Sequence, residues 1–153
     1  MPMMAIRLLL QCAYSASEEA KLEDLTYDCF EQTCTLFEEA IGQSSEKSSA
    51  LQAIVGTLQR CHVFGEENRA SLNQALLGYC SQLLTKDEQC RAICLYSHIF
   101  WQEDGSEQSS QSIKDAEGVM KALKRCLKLA SAAQRRANIL KRLGKNVETV
   151  RLH

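Results

Sequence analysis

Apolar residues recur at steps of three and four positions along most of this chain, the spacing that places side chains on one face of an α-helix. The segment before residue 85 shows the pattern most clearly, since polar residues fill the positions between the apolar ones. It predicts a helix with one buried face. The predicted buried stripe consists of Leu72, Ala75, Leu76, Tyr79, Cys80, Leu83 and Leu84.

A further helix is predicted to begin at Thr85. Thr85 and Glu88 have the spacing of a capping box, in which the hydroxyl accepts a hydrogen bond from a free amide and the carboxylate accepts one in return. Two helices joined by so short a loop form an α-hairpin. We expect this fifth helix to run to about Trp101, with Ile93, Tyr96, Ile99 and Phe100 facing inward.

The same periodicity predicts four more helices, and the even-numbered ones start roughly 43 and 49 residues apart, close to the period of HEAT-like repeats. The predicted fold is therefore all-α: antiparallel helical hairpins stacked as a HEAT-like α-solenoid of about six main helices. The second helix, Glu23–Ile41, is expected to bury Leu25, Phe30, Phe37 and Ile41; the third, Leu51, Ile54, Val55, Leu58 and Cys61; the sixth, Asp115–Ala133, buries Val119, Met120, Leu123, Cys126, Leu127 and Ala130.

Composition agrees with a helical intracellular protein. The single proline is Pro2, and no apolar run approaches the ~20 residues of a membrane span. We interpret the apolar stretch over residues 1–10 as a core helix rather than a signal peptide, because no A-x-A-like cleavage site follows it. The eight cysteines include no C-x-x-C pair and fall largely within helices, which favours free thiols in a reducing compartment.

Charge is distributed unevenly. Up to Ile113 the chain has 7 basic and 16 acidic residues, whereas from Lys114 onward it has 11 basic and 3 acidic. The basic strip is either a solvated face or a weak electrostatic attachment to RNA or anionic lipid. No aromatic residues for base stacking are interleaved with it, so specific nucleic-acid binding is not expected. The strip comprises Lys121, Lys124, Arg125, Lys128, Arg135, Arg136, Lys141 and Arg142.

Candidate chemistry is sparse. Cys90, Cys94 and His98 share one helical face, but they extend over two turns, about 12 Å, and lack an evident fourth ligand. Packed thiols are the favoured interpretation, and no metal or cofactor is predicted. Cys61 and His62 are adjacent, so their side chains diverge by about 100° and cannot form a nucleophile–base pair locally. The prediction is a protein without catalytic activity.

Aromatic residues at helix ends are the better candidates for function. Each could be buried in the core against the neighbouring hairpin, or it could be a central contact of a protein interface. The candidate partner-binding residues are Phe64, His98, Phe100 and Trp101.

Five segments, in order and spacing, together resemble the C-terminal half of the vacuolar protein sorting 35 family, the large scaffold subunit of retromer. The resemblance covers roughly Ala5 to Ala130. The segments are Arg7–Ala13, Gly56–Arg60, Phe64–Asn68, Leu83–Trp101 and Val119–Ala130.

The resemblance implies a retromer scaffold in endosome-to-Golgi transport, cytoplasmic and peripheral on the cytosolic face of endosomes. It implies docking of the phosphoesterase-like small subunit, vacuolar protein sorting 29, on the concave face, and association with other retromer subunits. The P-R-L-Y-L motif of that family is absent, so binding to the arrestin-like subunit is not expected. The alternative is a generic helical-repeat interaction module whose basic tail binds anionic membrane or RNA.

Two domain-level expectations follow. Residues 1–133 are predicted to form the solenoid segment, and residues 134–153 a basic, divergent tail. Because the resemblance is to part of a much longer scaffold, we expect the chain to be a fragment or an incomplete gene product of one, unless it is a shortened paralogue.

Overall fold

In the computed structural model, which describes residues 1–102 and 113–151 and their side chains up to residue 144, six α-helices follow one another. The predicted polar loop over residues 102–112 lies, apart from Gln102, outside the described residues. The helices are α1 (Pro2–Glu18), α2 (Glu23–Ala40), α3 (Ser44–Arg60), α4 (Glu66–Ser81), α5 (Lys86–Ser97) and α6 (Ala116–Arg151).

The helices stack in two layers. Helices α1, α3 and α5 begin 42 residues apart, at Pro2, Ser44 and Lys86, and pack side by side. Helices α2, α4 and α6 form the second layer, with α2 packed along α1 and α6 packed along α5. The prediction of an all-α fold of stacked helical hairpins is confirmed.

Hydrogen bonds between side chains recur at a similar spacing along the stack. Several of them join residues 44 positions apart, so each links equivalent regions of successive hairpins. They are Tyr27 with Ser71 (3.3 Å), Ser44 with Glu88 (3.0 Å) and Arg125 with Ser81 (2.8 Å).

From α2 to the turn before α5, the core follows the predicted stripes closely, apart from Ala75, which is half-buried, and two residues that are exposed. Leu25 and Leu84 were predicted to be buried and are exposed. Leu25 lies two positions from Tyr27, and hence about 200° around α2 from the contact with α4. Leu84 lies beyond the last residue of α4, in the turn before Thr85. The buried residues that match the prediction on α2, α3 and α4 are Phe30, Phe37, Ile41, Leu51, Ile54, Val55, Leu58, Cys61, Leu72, Leu76, Tyr79, Cys80 and Leu83.

The start of α5 is predicted correctly and its end is not. The Glu88 amide donates to the Thr85 hydroxyl (3.4 Å) and the Thr85 amide donates to the Glu88 carboxylate (3.3 Å), which confirms the capping box. The helix ends at Ser97, and a 3₁₀ turn, His98–Phe100, follows. Trp101–Gln102 (β1) then pairs antiparallel with Ile113–Lys114 (β2), so the expected continuation of the helix to Trp101 is wrong.

Helix α6 continues without interruption past Ala133, so the predicted division between solenoid and tail falls inside a helix; the division itself stays a prediction. Ala122 and Cys126 are buried against α5. The prediction that four other apolar positions of α6 are buried is wrong, because no described element packs on their side of the helix. The exposed positions are Met120, Leu123, Leu127 and Ala130, while Val119 is half-buried.

Among the helices described, none is both long enough and apolar enough to cross a lipid bilayer.

Candidate partner-docking edge

The carboxyl-terminal ends of α1, α3 and α5 meet at one edge of the stack, where they enclose an open cavity of about 630 Å³. We call this cavity and its rim the docking edge. Its walls carry residues from all three helices, including Tyr14, Arg60 and Leu95, and from the segment that follows α5. Three successive hairpins therefore contribute to one surface.

Two of the four predicted partner-binding residues, His98 and Trp101, lie in the docking edge. His98 is exposed, and Trp101 retains 47% of its surface. Both occupy the 3₁₀ turn and short strand that replace the end of the predicted helix. The side-chain amide of Gln59 donates to the Leu95 carbonyl (3.5 Å), and this hydrogen bond links α3 to α5 beside the cavity.

Gln102 is the most unusual group at this edge. It is only 8% exposed, and among the described residues neither its Oε1 nor its Nε2 has a hydrogen-bond partner. An amide buried in this state costs free energy unless a second molecule supplies a donor and an acceptor. A peptide backbone offers both. In the sequence Gln102 belongs to the predicted polar loop, and no local pattern marks it as buried.

Two more polar atoms around the same cavity have no hydrogen-bond partner within the part of the chain that the structure describes. They are Glu18 Oε1 and His62 Nδ1, both buried. The Arg60 guanidinium lies 4.1 Å from the centre of the Tyr14 ring, a cation–π contact that holds a positive charge at the rim. The docking edge thus combines the partly exposed indole of Trp101, the positive charge of Arg60 and hydrogen-bonding groups that no described residue engages.

The other two predicted residues, Phe64 and Phe100, line a neighbouring cavity of about 500 Å³. Phe64 is buried, with its ring edge-on to Phe30 at 5.7 Å between centroids, so it has little surface to offer a partner. Phe100 is half-buried and makes a T-shaped contact with Tyr96 at 5.2 Å.

Arg69 fixes the geometry of this region and was missed by the sequence analysis. Its guanidinium donates to the carbonyls of Cys61 (3.3 Å) and Ile99 (3.4 Å), joining the end of α3 to the 3₁₀ turn. Burial lowers the pKa of Arg69 to about 10, an effect that the Cys61 thiol partly opposes. A signal was present: Arg69 stands three residues before Leu72, on the apolar stripe of α4, where a basic residue must find partners.

The proposed thiol cluster on α5 is a packing contact. The Cys90 thiol donates to the Cys126 carbonyl (3.4 Å), and the Cys126 thiol donates to the Cys90 carbonyl (3.6 Å). Burial is the main cause that raises the pKa of Cys126 to about 11, and the neighbouring Cys90 contributes to the increase. Cys94 and His98 are exposed. Within the described ranges, no grouping of His, Cys, Asp and Glu side chains could hold a metal ion.

Comparison with known proteins places this architecture in a family. The family model described as vacuolar protein sorting-associated protein 35 matches residues 1–147, which extends the resemblance beyond the expected limit at Ala130. The chain is 46% identical over 137 residues to vacuolar protein sorting-associated protein 35A of Arabidopsis thaliana and 45% identical to 35B of the same plant. It is 32% identical over 140 residues to vacuolar protein sorting-associated protein 35 of Schizosaccharomyces pombe.

Each of these alignments covers 90% of this chain and 17% of the relative, so the chain spans about a sixth of the length of the proteins it matches. The family match covers the same region of the chain in which the structure shows stacked helical hairpins. The chain belongs to the vacuolar protein sorting-associated protein 35 family.

Proposed function

We propose that this chain acts as a scaffold segment of retromer in endosome-to-Golgi protein transport. The observation that carries the proposal is the family match over residues 1–147, on a stack of helical hairpins with period 42. Stacked repeats form extended surfaces on which other proteins dock. The segment works by binding, as a peripheral component on the cytosolic face of endosomes, and needs no cofactor or catalytic group of its own.

The partner in this proposal is the phosphoesterase-like small subunit of retromer, and the docking edge supplies its central contacts. Trp101 is a large, partly exposed aromatic side chain at the rim, the kind of residue that dominates interface energetics. Gln102 supplies, behind it, a donor and an acceptor that no described residue engages. His98 is exposed beside them. Docking on the concave face of the solenoid remains part of the proposal.

The test is a calorimetric titration of the purified chain with the purified small subunit, which measures the affinity of the two proteins. Trp101→Ala is expected to weaken binding at least tenfold, because truncating a central aromatic contact typically costs ~2 kcal/mol or more. Gln102→Leu keeps the size of the side chain but removes both hydrogen-bonding atoms, and is expected to weaken binding as well.

Leu84→Ala is the matched control. Leu84 is a highly exposed apolar residue in the turn before α5, away from the cavity, so its removal should leave the affinity unchanged. If the wild-type chain binds and Trp101→Ala binds equally well, the docking edge is not the interface. If the wild-type chain shows no binding, the partner assignment fails for this chain.

A second candidate function rests on the far end of α6. Ile139, Leu140 and Leu143 are exposed there between basic residues, an amphipathic pattern found in helices that lie on anionic membranes. Flotation with vesicles containing phosphatidylserine, repeated with neutral vesicles, tests this function. Binding to both kinds of vesicle, or to neither, would reject electrostatic attachment to membrane.

A further inference from the structure

Three cysteines meet where α6 packs along α5. Cys90 and Cys94 lie one helical turn apart on α5, and Cys126 is buried on α6. The thiol of Cys90 donates to the Cys126 carbonyl (3.4 Å), and the thiol of Cys126 donates to the Cys90 carbonyl (3.6 Å). The Cys126 thiol also forms side-chain hydrogen bonds with the thiols of both α5 cysteines. We call these three residues the α5–α6 thiol cluster.

The contact between Cys90 and Cys126 has the arrangement that a disulfide bond requires. A disulfide joins sulfur atoms ~2.05 Å apart and needs Cα atoms that are usually about 4.4–6.8 Å apart. Because each of the two thiols reaches the main chain of the other residue, the two backbones lie close together. Cys94 does not share this reciprocal contact, since its carbonyl accepts from the Ser97 hydroxyl (2.6 Å). Cys90 is therefore the better-placed partner of Cys126.

We propose that Cys90 and Cys126 form a reversible disulfide bond when the chain meets hydrogen peroxide, and that this bond joins α6 covalently to α5. Both residues are free thiols in the structure. In reducing compartments disulfides are usually transient, and they serve catalysis or redox sensing. The cluster contributes no residue to the cavity of the docking edge, so it constitutes a modification site separate from the proposed partner contact.

The reaction takes place in two steps. The Cys90 thiolate attacks one oxygen atom of hydrogen peroxide and breaks the O–O bond, which yields a sulfenic acid and, after proton uptake, one water molecule. The Cys126 sulfur then attacks the sulfenic sulfur, the S–O bond breaks, and the departing hydroxide takes the Cys126 proton to form a second water molecule. Together the two thiols lose two electrons and the peroxide gains two. Exchange with two molecules of a small thiol restores both cysteines and oxidises the small thiol to its disulfide.

The bond adds a covalent constraint to an existing packing contact. Ala122 and Cys126 are buried against α5. Cross-linking two residues that are 36 positions apart restricts the unfolded chain, which favours the folded state. The oxidised chain is therefore expected to unfold at a higher urea concentration than the reduced chain.

Tryptic mapping of the complete chain identifies the bond. Trypsin cleaves after lysine and arginine, so the three cysteines of the cluster fall in different peptides, residues 87–91, 92–114 and 126–128. The chain is treated with hydrogen peroxide, its remaining thiols are blocked with iodoacetamide, and the monomeric fraction is digested without reductant. Peptide 87–91 is expected to be linked to peptide 126–128, and dithiothreitol should separate the two. Oxidation in urea is expected to lose this link, because the unfolded chain no longer holds the two thiols together.

Substitution of each cysteine tests the assigned roles. Cys94→Ser is the matched control, since it removes the neighbouring thiol, leaves the pair in place and should leave the yield of the link unchanged. Cys126→Ala removes the second thiol, so oxidation of Cys90 should stop at the sulfenic acid, which dimedone labels. Cys90→Ser changes a half-buried position and should abolish the link. The circular dichroism spectra of the reduced variants should match that of the parent.

Several results would overturn the proposal. One is a chain in which Cys94 is oxidised while Cys90 and Cys126 remain thiols. Another is a link between peptides 92–114 and 126–128, which would assign the pair to Cys94 instead. An equal yield of the expected link in urea would show that the fold does not select the pair. An oxidised chain that unfolds at the same urea concentration as the reduced chain would show that the bond does not hold α6 on α5.

Discussion

Gly118 allows Phe100 to pack against the first turn of α6. A β-carbon at residue 118 would lie 2.5 Å from Phe100 Cδ1 and 2.6 Å from Asp115 Oδ2, closer than atoms in contact allow. Gly118→Ala is therefore expected to displace the Phe100 ring and lower the free energy of unfolding by about 1–3 kcal/mol, as overpacking does. Urea denaturation followed by circular dichroism measures the change.

Gly78→Ala is the control for that experiment. Gly78 is also inside a helix, but a β-carbon there meets no atom within 4 Å. Alanine should raise the free energy of unfolding by about 0.5–1 kcal/mol, because it favours the helix more than glycine does. If alanine changed the free energy of unfolding equally at Gly118 and at Gly78, the contact with Phe100 would not be what excludes a β-carbon at residue 118.

The cysteines should divide by accessibility when the native chain is alkylated. Cys12 and Cys94 are exposed, whereas Cys61 and Cys80 are fully buried. Burial raises the pKa of Cys61 to about 11 and that of Cys80 to about 12, so near pH 8 neither forms appreciable thiolate, the reactive species.

Mass spectrometry of the iodoacetamide-treated chain near pH 8 is expected to show rapid modification of Cys12 and Cys94 and protection of Cys61 and Cys80. In urea the protection should disappear, which serves as the control. Rapid native modification of Cys80 would contradict the packing of α4.

At the scale of elements, one helix is capped by a residue from the preceding hairpin. The Glu23 carboxylate accepts from the Gly65 amide (2.7 Å) and from the Asn68 side chain (2.8 Å), at the start of α4. Gly65 itself has no side chain for capping. Glu23→Ala is therefore expected to cost about 1 kcal/mol of unfolding free energy, similar to the loss of a helix cap.

The second substitution in this experiment is Gly65→Ser. Serine can cap α4 with its own hydroxyl, and its β-carbon would lie 3.4 Å from Glu23, an ordinary contact. In the Gly65→Ser background, the loss caused by Glu23→Ala should be smaller. The same loss in both backgrounds would mean that Glu23 does not act through capping of α4.

The elements that the sequence predicted well depend on local signals. The Thr85–Glu88 capping box and the apolar periodicity of α3 are properties of neighbouring residues, and both are present in the structure. The end of α5 was not predictable in this way. The Asp115 amide donates to the Phe100 carbonyl (2.9 Å), a contact across the intervening segment that competes with continuation of the helix. No local pattern contains that partner.

At the scale of the molecule, burial depends on which hairpin lies next to which. Leu25 and Leu123 have the spacing of core residues, yet both lie on ends of the stack and are exposed. Gln102 shows the converse, since it is a polar residue in a polar segment and is nevertheless buried. Periodicity identifies an apolar face, but only the arrangement of the stack decides whether another element covers it.

The same principle predicts unequal stability along α6. Its 36 residues would span roughly 54 Å, whereas α5, on which it packs, has 12 residues. Ala122 and Cys126 are buried, and every side chain over residues 134–144 is exposed. A helical stretch of about a dozen residues is marginal in water when nothing packs on it, because most helical stability in proteins comes from packing. Amide hydrogen exchange should therefore be slow over residues 119–129 and fast over residues 134–144.

Exchange followed by mass spectrometry measures both regions in one sample. Residues 50–58 of α3 provide the internal reference, since they include the buried residues Leu51, Ile54 and Leu58 in the middle of the stack. Protection over residues 134–144 that equals this reference would contradict the expectation. It would show that α6 is stabilised along its whole length by contacts other than those with α5.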